Sequence, residues 1–109
     1  MQVHILFFSL SWIEVLGTTY KPGGVVIISV ETVPTFGLIS DIIVLNTTNY
    51  LLVAKKMHTV CYNAHLHGYE VDHCEVQPEY VFLKQSHLVD HNMLGLYKKT
   101  YVILKYAVL

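Results

Sequence analysis

YKPGGVVIISV (20–30), TFGLISDIIVL (35–45) and YLLVAKKM (50–57) are the stretches on which the reading of this chain turns. In the first, Pro22 fixes φ and Gly23-Gly24 permit positive φ, so a turn over 17–24 feeds an apolar run. Val25–Val30 is rich in β-branched residues. Such a run favours a strand over a helix, and its continuity predicts burial on both faces. The segment ETVPT (31–35) breaks it, and Phe36–Leu45 is then the longest strand candidate. Alternation puts Phe36, Leu38, Ile42 and Val44 on one side and Ile39, Ile43 and Leu45 on the other. Gly37 is the expected place for a bulge that bends this strand. NTTN (46–49) reads as a four-residue hairpin loop, with a returning strand from Tyr50 to about Met57.

Outward from this centre the signals are shorter. Residues 3–13 read as a first strand, with Val3, Ile5 and Phe7 facing one way and Leu6, Phe8, Leu10 and Trp12 the other. Leu66–Val71 reads as a strand on which His65, His67 and Tyr69 alternate against Leu66, Gly68 and Glu70. Pro78 punctuates, and Glu79–Lys84 is another short strand. SHLVDH (86–91) forms one helical turn with Ser86 at its N-cap. Gly95 interrupts the chain, and Thr100–Val108 closes it as a strand with Val102, Leu104, Tyr106 and Val108 on one face. Short strands joined by tight turns indicate a mainly all-β fold. The expected architecture is a small, partly open antiparallel β-barrel of six to seven strands with at most one short helical turn.

A chain of 109 residues fits one domain over 1–109. With 53% apolar and 14% charged residues, intrinsic disorder is excluded. So few charges leave surface to Tyr, His, Thr and aliphatic groups, which implies a protein or peptide partner, or the remainder of a larger chain. Both ends fall inside strand patterns, so the chain reads as a module of a larger protein. Seven basic against eight acidic residues build no field for direct nucleic-acid binding, and Lys55-Lys56 and Lys98-Lys99 read as solvated strand ends. No window reaches the roughly 18 uninterrupted apolar residues of a membrane helix. A secretory signal over 1–16 is the alternative to a first strand there, but it lacks a basic start and Glu14 interrupts it. Two cysteines, Cys61 and Cys74, point to a reducing, intracellular compartment. The secreted alternative carries a Cys61–Cys74 disulfide and a glycan on Asn46, in Asn46-Thr47-Thr48.

The dense chemical cluster is His58, Cys61, His65, His67, His73 and Cys74. A zinc-stabilised domain using Cys61, His65, His73 and Cys74 is the metal alternative, since zinc takes four N or S ligands. Its spacing matches no paired-ligand pattern, and adjacent side chains on a strand diverge. Ordinary packing of these residues is the preferred reading, with no cofactor. A Cys61–His65 nucleophile pair lacks an orienting third group and an oxyanion hole, so no enzyme is expected. Tyr62, His65, His67 and Tyr69 are the candidate binding residues, in a tyrosine-rich second half that includes Tyr80, Tyr97, Tyr101 and Tyr106. The expected site is an open strand edge, or a groove between 46–49 and 58–74, where a peptide adds by strand pairing.

YKPGGVVII (20–28) followed by VPTFGLISDI (33–42) resembles the start of SH3-like small β-barrels of the Tudor and bromo-adjacent-homology type. The resemblance implies a non-enzymatic peptide- or chromatin-binding module and a nuclear location. The chain departs from that pattern at Gly23-Gly24, where the family turn carries an acidic residue, and no Trp/Tyr/Asp set forms a methyl-lysine cage. Segment 20–106 is also similar to uncharacterised domains of transposon-derived animal proteins, a similarity that implies no activity.

Overall fold

In the computed structural model, which describes residues 8–45, 49–73, 76–98 and 100–103, the backbone is almost wholly extended. The strands are β1 (Phe8–Ser9), β2 (Ile13–Val15), β3 (Thr18–Tyr20), β4 (Val25–Val30), β5 (Pro34–Val44), β6 (Tyr50–Asn63), β7 (Gly68–Asp72), β8 (Tyr80–Leu83), β9 (Asp90–Tyr97) and β10 (Tyr101–Ile103). Gln85–His87 forms a single 3₁₀ turn. No helix among the described residues is long and apolar enough to cross a membrane.

The hairpin read at 36–57 is the spine, as β5 and β6 pair from Thr35↔His58 to Val44↔Tyr50. Around it β4, β5, β6, β7, β10 and β9 join edge to edge, and β4 pairs with β9 to close a ring of six antiparallel strands. The all-β fold expected from the sequence is present, as a ring of six strands within the ten strands of the described residues. Each ring strand gives one buried side chain to the interior: Val25, Phe36, Met57, Val71, Leu94 and Val102. Beyond the ring, β5 and β6 run on as an open sheet, edged by β1 along β5 and by β8 along β6. The opposite face of that sheet holds a second cluster built on Tyr20, Val26, Ile39, Ile42, Leu52, Ala54, Leu83 and Leu88. Val25 and Val26 are both fully buried, one in each cluster. That is why β4 carries no polar alternation.

Several local expectations change. The bulge in β5 lies at Ser40, where the register with β6 shifts between Ile39 and Asp41. Gly37 instead serves close packing, since a Cβ there would meet Ile28 Cδ1 at 2.9 Å and Ala54 Cβ at 3.0 Å. Ser40 Oγ donates to the Val53 carbonyl (3.1 Å), and Asp41 Oδ1 accepts the Ile42 N–H (2.9 Å). An extra residue reverses side-chain parity. Phe36 and Ile42 therefore face different clusters, and Ile39 shares its cluster with Ile42.

Within 3–13, the described part divides into β1 and β2 with a bend at Ser11, and residues 3–7 lie outside the described residues. Phe8 and Trp12 are exposed. The expected turn over 17–24 contains β3, which pairs with β2 through Leu16-Gly17. Both turn residues have positive φ (49° and 85°), the type I′ geometry that matches strand twist. Gly95 lies inside β9 and does not interrupt the chain, and of the closing strand 101–103 is described. The expected turn at 86–91 begins earlier: Gln85–His87 follows Lys84, whose N–H donates to His87 Nδ1 (3.1 Å), and Ser86 is not its cap.

Gln85 is the one buried polar side chain among the described residues. Its Nε2 donates to the Val15 carbonyl (2.8 Å) and to the Tyr20 hydroxyl (3.1 Å), and its N–H donates to the Tyr50 hydroxyl (2.8 Å). Tyr20 in turn donates to the His91 carbonyl (2.6 Å). Gln85 and the phenols of Tyr20 and Tyr50 thus tie β2, β3, β6 and β9 to the 3₁₀ turn. Burial pushes the Tyr20 phenol above its ordinary value of 10.0, against the opposing hydrogen bond from Gln85.

Two predictions follow from these contacts. Leu16→Asn should stabilise the protein by about 0.5–1 kcal/mol in urea titration, because asparagine tolerates the left-handed conformation that leucine resists. Tyr20→Phe should cost about 1–3 kcal/mol by leaving the Gln85 and His91 groups short of a partner. The folded state keeps the Tyr20 proton to higher pH than the unfolded state, so this contribution is complete below pH 10 and falls as pH rises beyond it. Stability measured between pH 8 and 10.5 should therefore decline less in Tyr20→Phe than in the parent.

Candidate functional site

The tyrosines and histidines chosen from the sequence divide between two places. Tyr62 on β6 pairs with Tyr69 on β7, their rings edge to face at 5.1 Å between centroids. Tyr69 also tilts against Phe36 at 5.8 Å, so the three rings form one end of the ring interior. The bulge between Thr59 and Cys61 brings Tyr62 to this side, leaving Val60 exposed. Tyr62 remains 48% exposed, whereas Tyr69 is half-buried.

His65 and His67 do not share a strand face with Tyr69. Both fall in the 64–67 turn, because Asn63 Oδ1 accepts the Leu66 N–H (3.1 Å) and His67 takes a positive φ of 51°. β7 accordingly starts at Gly68, two residues later than the sequence suggests.

Cys61 stands opposite Glu70 on the outer wall, with Sγ 3.8 Å from Oε2; the Tyr101 hydroxyl reaches the other carboxylate oxygen at 3.5 Å. Tyr97 follows in the same cross-strand row, with Lys98 Nζ 5.4 Å from its ring centroid. Cys61, His65 and His73 are not brought together: His65 precedes β7 and His73 follows it, with the whole strand, roughly 16 Å of extended chain, between them. Cys74, and with it the Cys61–Cys74 pairing, lies outside the described residues, as do Asn46 and Tyr106. Among the described residues no group of three or more His, Cys, Asp or Glu side chains is placed to hold a metal ion.

Of the groove expected between 46–49 and 58–74, residues 46–48 and 74 lie outside the described residues. Asn49 and the 64–67 turn adjoin opposite ends of β6, a strand of 14 residues, and are not brought together. The other expected form of the site, an open strand edge, has a counterpart in β8. β8 ends the eight-stranded sheet and pairs with β6 from Leu52↔Leu83 to Lys55↔Tyr80. Lys56 N–H donates to the Glu79 carbonyl (2.8 Å), which fixes the phase of this ladder. In an antiparallel pair the direction of the backbone groups alternates. Val81 and Leu83 therefore turn their N–H and C=O groups to β6, whereas Tyr80 and Phe82 turn theirs away from the sheet.

The side chains follow the same alternation. Leu83 is buried in the second cluster and Val81 packs against it. Tyr80 and Phe82 lie on the other face, 50% and 59% exposed. Cross-strand register sets Phe82 beside Val53 and Tyr80 beside Lys55, and continues the face through Ile43↔Leu51. The strand 79–84 was readable as a strand. Its terminal position was not, because that depends on which strand β6 pairs with and over what length. Tyr-Val-Phe-Leu, apolar on both faces, is the available signal.

No known protein family, curated protein or solved structure matches this chain. The site therefore stands on its geometry.

Alanine substitution separates packing from recognition at the ring end. Tyr69→Ala, which removes contact with both Phe36 and Tyr62, should lower stability by about 3 kcal/mol, and Tyr62→Ala by about 1 kcal/mol. Chemical denaturation of the two variants checks the order.

Proposed function

We propose that this chain is a non-catalytic interaction module that takes up an extended peptide by strand addition along β8. The observation that carries this reading is an edge that no strand pairs among the described residues: the backbone groups of Tyr80 and Phe82 point away from β6, and their rings flank the open side. Main-chain hydrogen bonds along an edge supply affinity in this mode, and alternate side chains supply selectivity. Sheet edges that avoid pairing carry inward charges or a bulge, or are very short. Tyr80–Leu83 has no charge and no bulge, and its four residues limit the length of an added strand without removing the outward groups. An incoming strand would set alternate side chains beside Tyr80 and Phe82 and against the apolar surface of Leu51 and Val53. The resemblance of residues 20–42 to SH3-like barrels supports a binding role over a catalytic one.

Phe82→Pro tests the reading with the fold intact. The Phe82 N–H points outward, so proline there removes no bond to β6, and edge positions of this kind tolerate it. Selection of a phage-displayed library of random peptides on the immobilised protein should return sequences of alternating apolar character. Their affinity should fall by about tenfold or more in Phe82→Pro, with the melting temperature close to the parent's. Peptides that bind Phe82→Pro as well as the parent, or a library that yields no binder, would remove the proposal.

A further inference from the structure

We infer that the strand added along β8 is β8 of a second copy, paired antiparallel about a two-fold axis through Val81. This rests on the strand-addition reading and names its partner. Only Tyr80 and Phe82 offer outward backbone groups within β8, and the residues on either side limit how two such edges can meet.

If Tyr80 stood opposite its own copy, the next pair would join Phe82 to Pro78, which has no N–H to give. If Phe82 stood opposite its own copy, the next pair would join Tyr80 to Lys84, whose N–H is already donated to His87 Nδ1 (3.1 Å). With Tyr80 opposite Phe82, both residues of each copy donate and accept, and all four hydrogen bonds of the short ladder form.

The side chains agree with that register. Rotation about an axis normal to the sheet keeps the exposed face on one side, so each Tyr80 ring meets the other copy's Phe82. Cross-strand aromatic pairs of this kind stabilise antiparallel sheets. Charge does not oppose the register. Glu79, which precedes the strand, is already paired with Lys56 of its own chain (3.3 Å) and stands opposite Leu83 of the other copy. In the same register the two Glu79 positions are four residues apart along the edge, about 13 Å. The four-residue contact is far smaller than the roughly 800 Å² per partner of a stable interface, so the dimer exchanges rapidly and forms at high protein concentration.

Sedimentation equilibrium and directed cross-linking test this together. The parent chain should show a reversible, concentration-dependent monomer–dimer equilibrium that Phe82→Pro abolishes. In a Cys61→Ser, Cys74→Ser background, Val81→Cys should form a disulfide dimer in a glutathione redox buffer. In the inferred register Val81 faces its own copy across a non-hydrogen-bonded pair, with Cα atoms about 4.5 Å apart. Tyr80→Cys and Phe82→Cys should cross-link far less, since each then faces a residue without a thiol. A chain that stays monomeric at every concentration, or cross-linking strongest at position 80 or 82, overturns the inference. If the chain is monomeric while library peptides still bind in a Phe82-sensitive way, the second copy is the wrong occupant and strand addition stands. If both signals are missing, both readings fall.

Discussion

Among the described residues, β5 and β6 are longer than any strand that lies beside them, and this mismatch governs the rest of the structure. β5 has 11 residues, whereas its far-edge neighbours β4 and β1 have 6 and 2. β6 has 14, against 5 in β7 and 4 in β8. Buried backbone groups require partners, so each long strand takes two short neighbours in line along one edge. Where those neighbours are β4 and β7, the sheet curls far enough for β9 and β10 to bridge them and close a ring. Where they are β1 and β8, nothing among the described residues bridges them and the sheet stays open. A closed interior and a free edge are two ends of one hairpin.

Such a hairpin must bury both faces over most of its length, and bulges distribute side chains between them. At Ser40 the extra residue sends Ile39 and Ile42 to the same cluster, although they are three positions apart. A fully buried isoleucine or phenylalanine contributes about 1.5–3 kcal/mol, so leaving Ile42 on the outer face would be costly. Near Val60 a bulge does the reverse service, turning Tyr62 inward to meet Tyr69 and leaving a valine in solvent. The second cluster needs a cover, which the β2–β3 hairpin and the 3₁₀ turn provide. Tyr20, Ile13, Val15 and Leu88 supply its apolar contacts, and the Tyr20–Gln85 hydrogen bonds fix where it sits.

How much of this was legible in the chain follows from the range over which each interaction acts. The β-branched run at 25–30 and the apolar stretches around NTTN are local signals, and β4, β5 and the start of β6 lie where they indicate, whereas β6 runs on to Asn63, six residues past the expected end at Met57. Closure of the ring joins Val25 to Leu94 across most of the chain, and no local pattern encodes that pairing. Strict alternation misplaces faces wherever a bulge intervenes, as at Ser40. Leu16-Gly17 forms a type I′ turn without the asparagine or aspartate that would have marked it. Gln85 is buried because three strands, β2, β3 and β6, converge on it, which its polarity in sequence conceals. At the candidate site Tyr62 and Tyr69 do meet, whereas His65 and His67 obey an Asn63 side-chain hydrogen bond that overrides the alternation around them.

The open edge is also limited by the contacts that define it. Gln85 turns its N–H back to Tyr50, and Lys84 gives its own to His87. Those bonds end the strand on one side, and Pro78 precedes it on the other. Two residues are left with outward backbone groups, too few to template a long ladder. Pairing about a two-fold axis would use the outward N–H and C=O groups of both residues at once, so β8 would offer no site for a third strand. Exposed Tyr80 and Phe82 are thereby compatible with a protein that avoids runaway sheet growth: the residues that anchor the 3₁₀ turn to the core also set how far the edge can be extended.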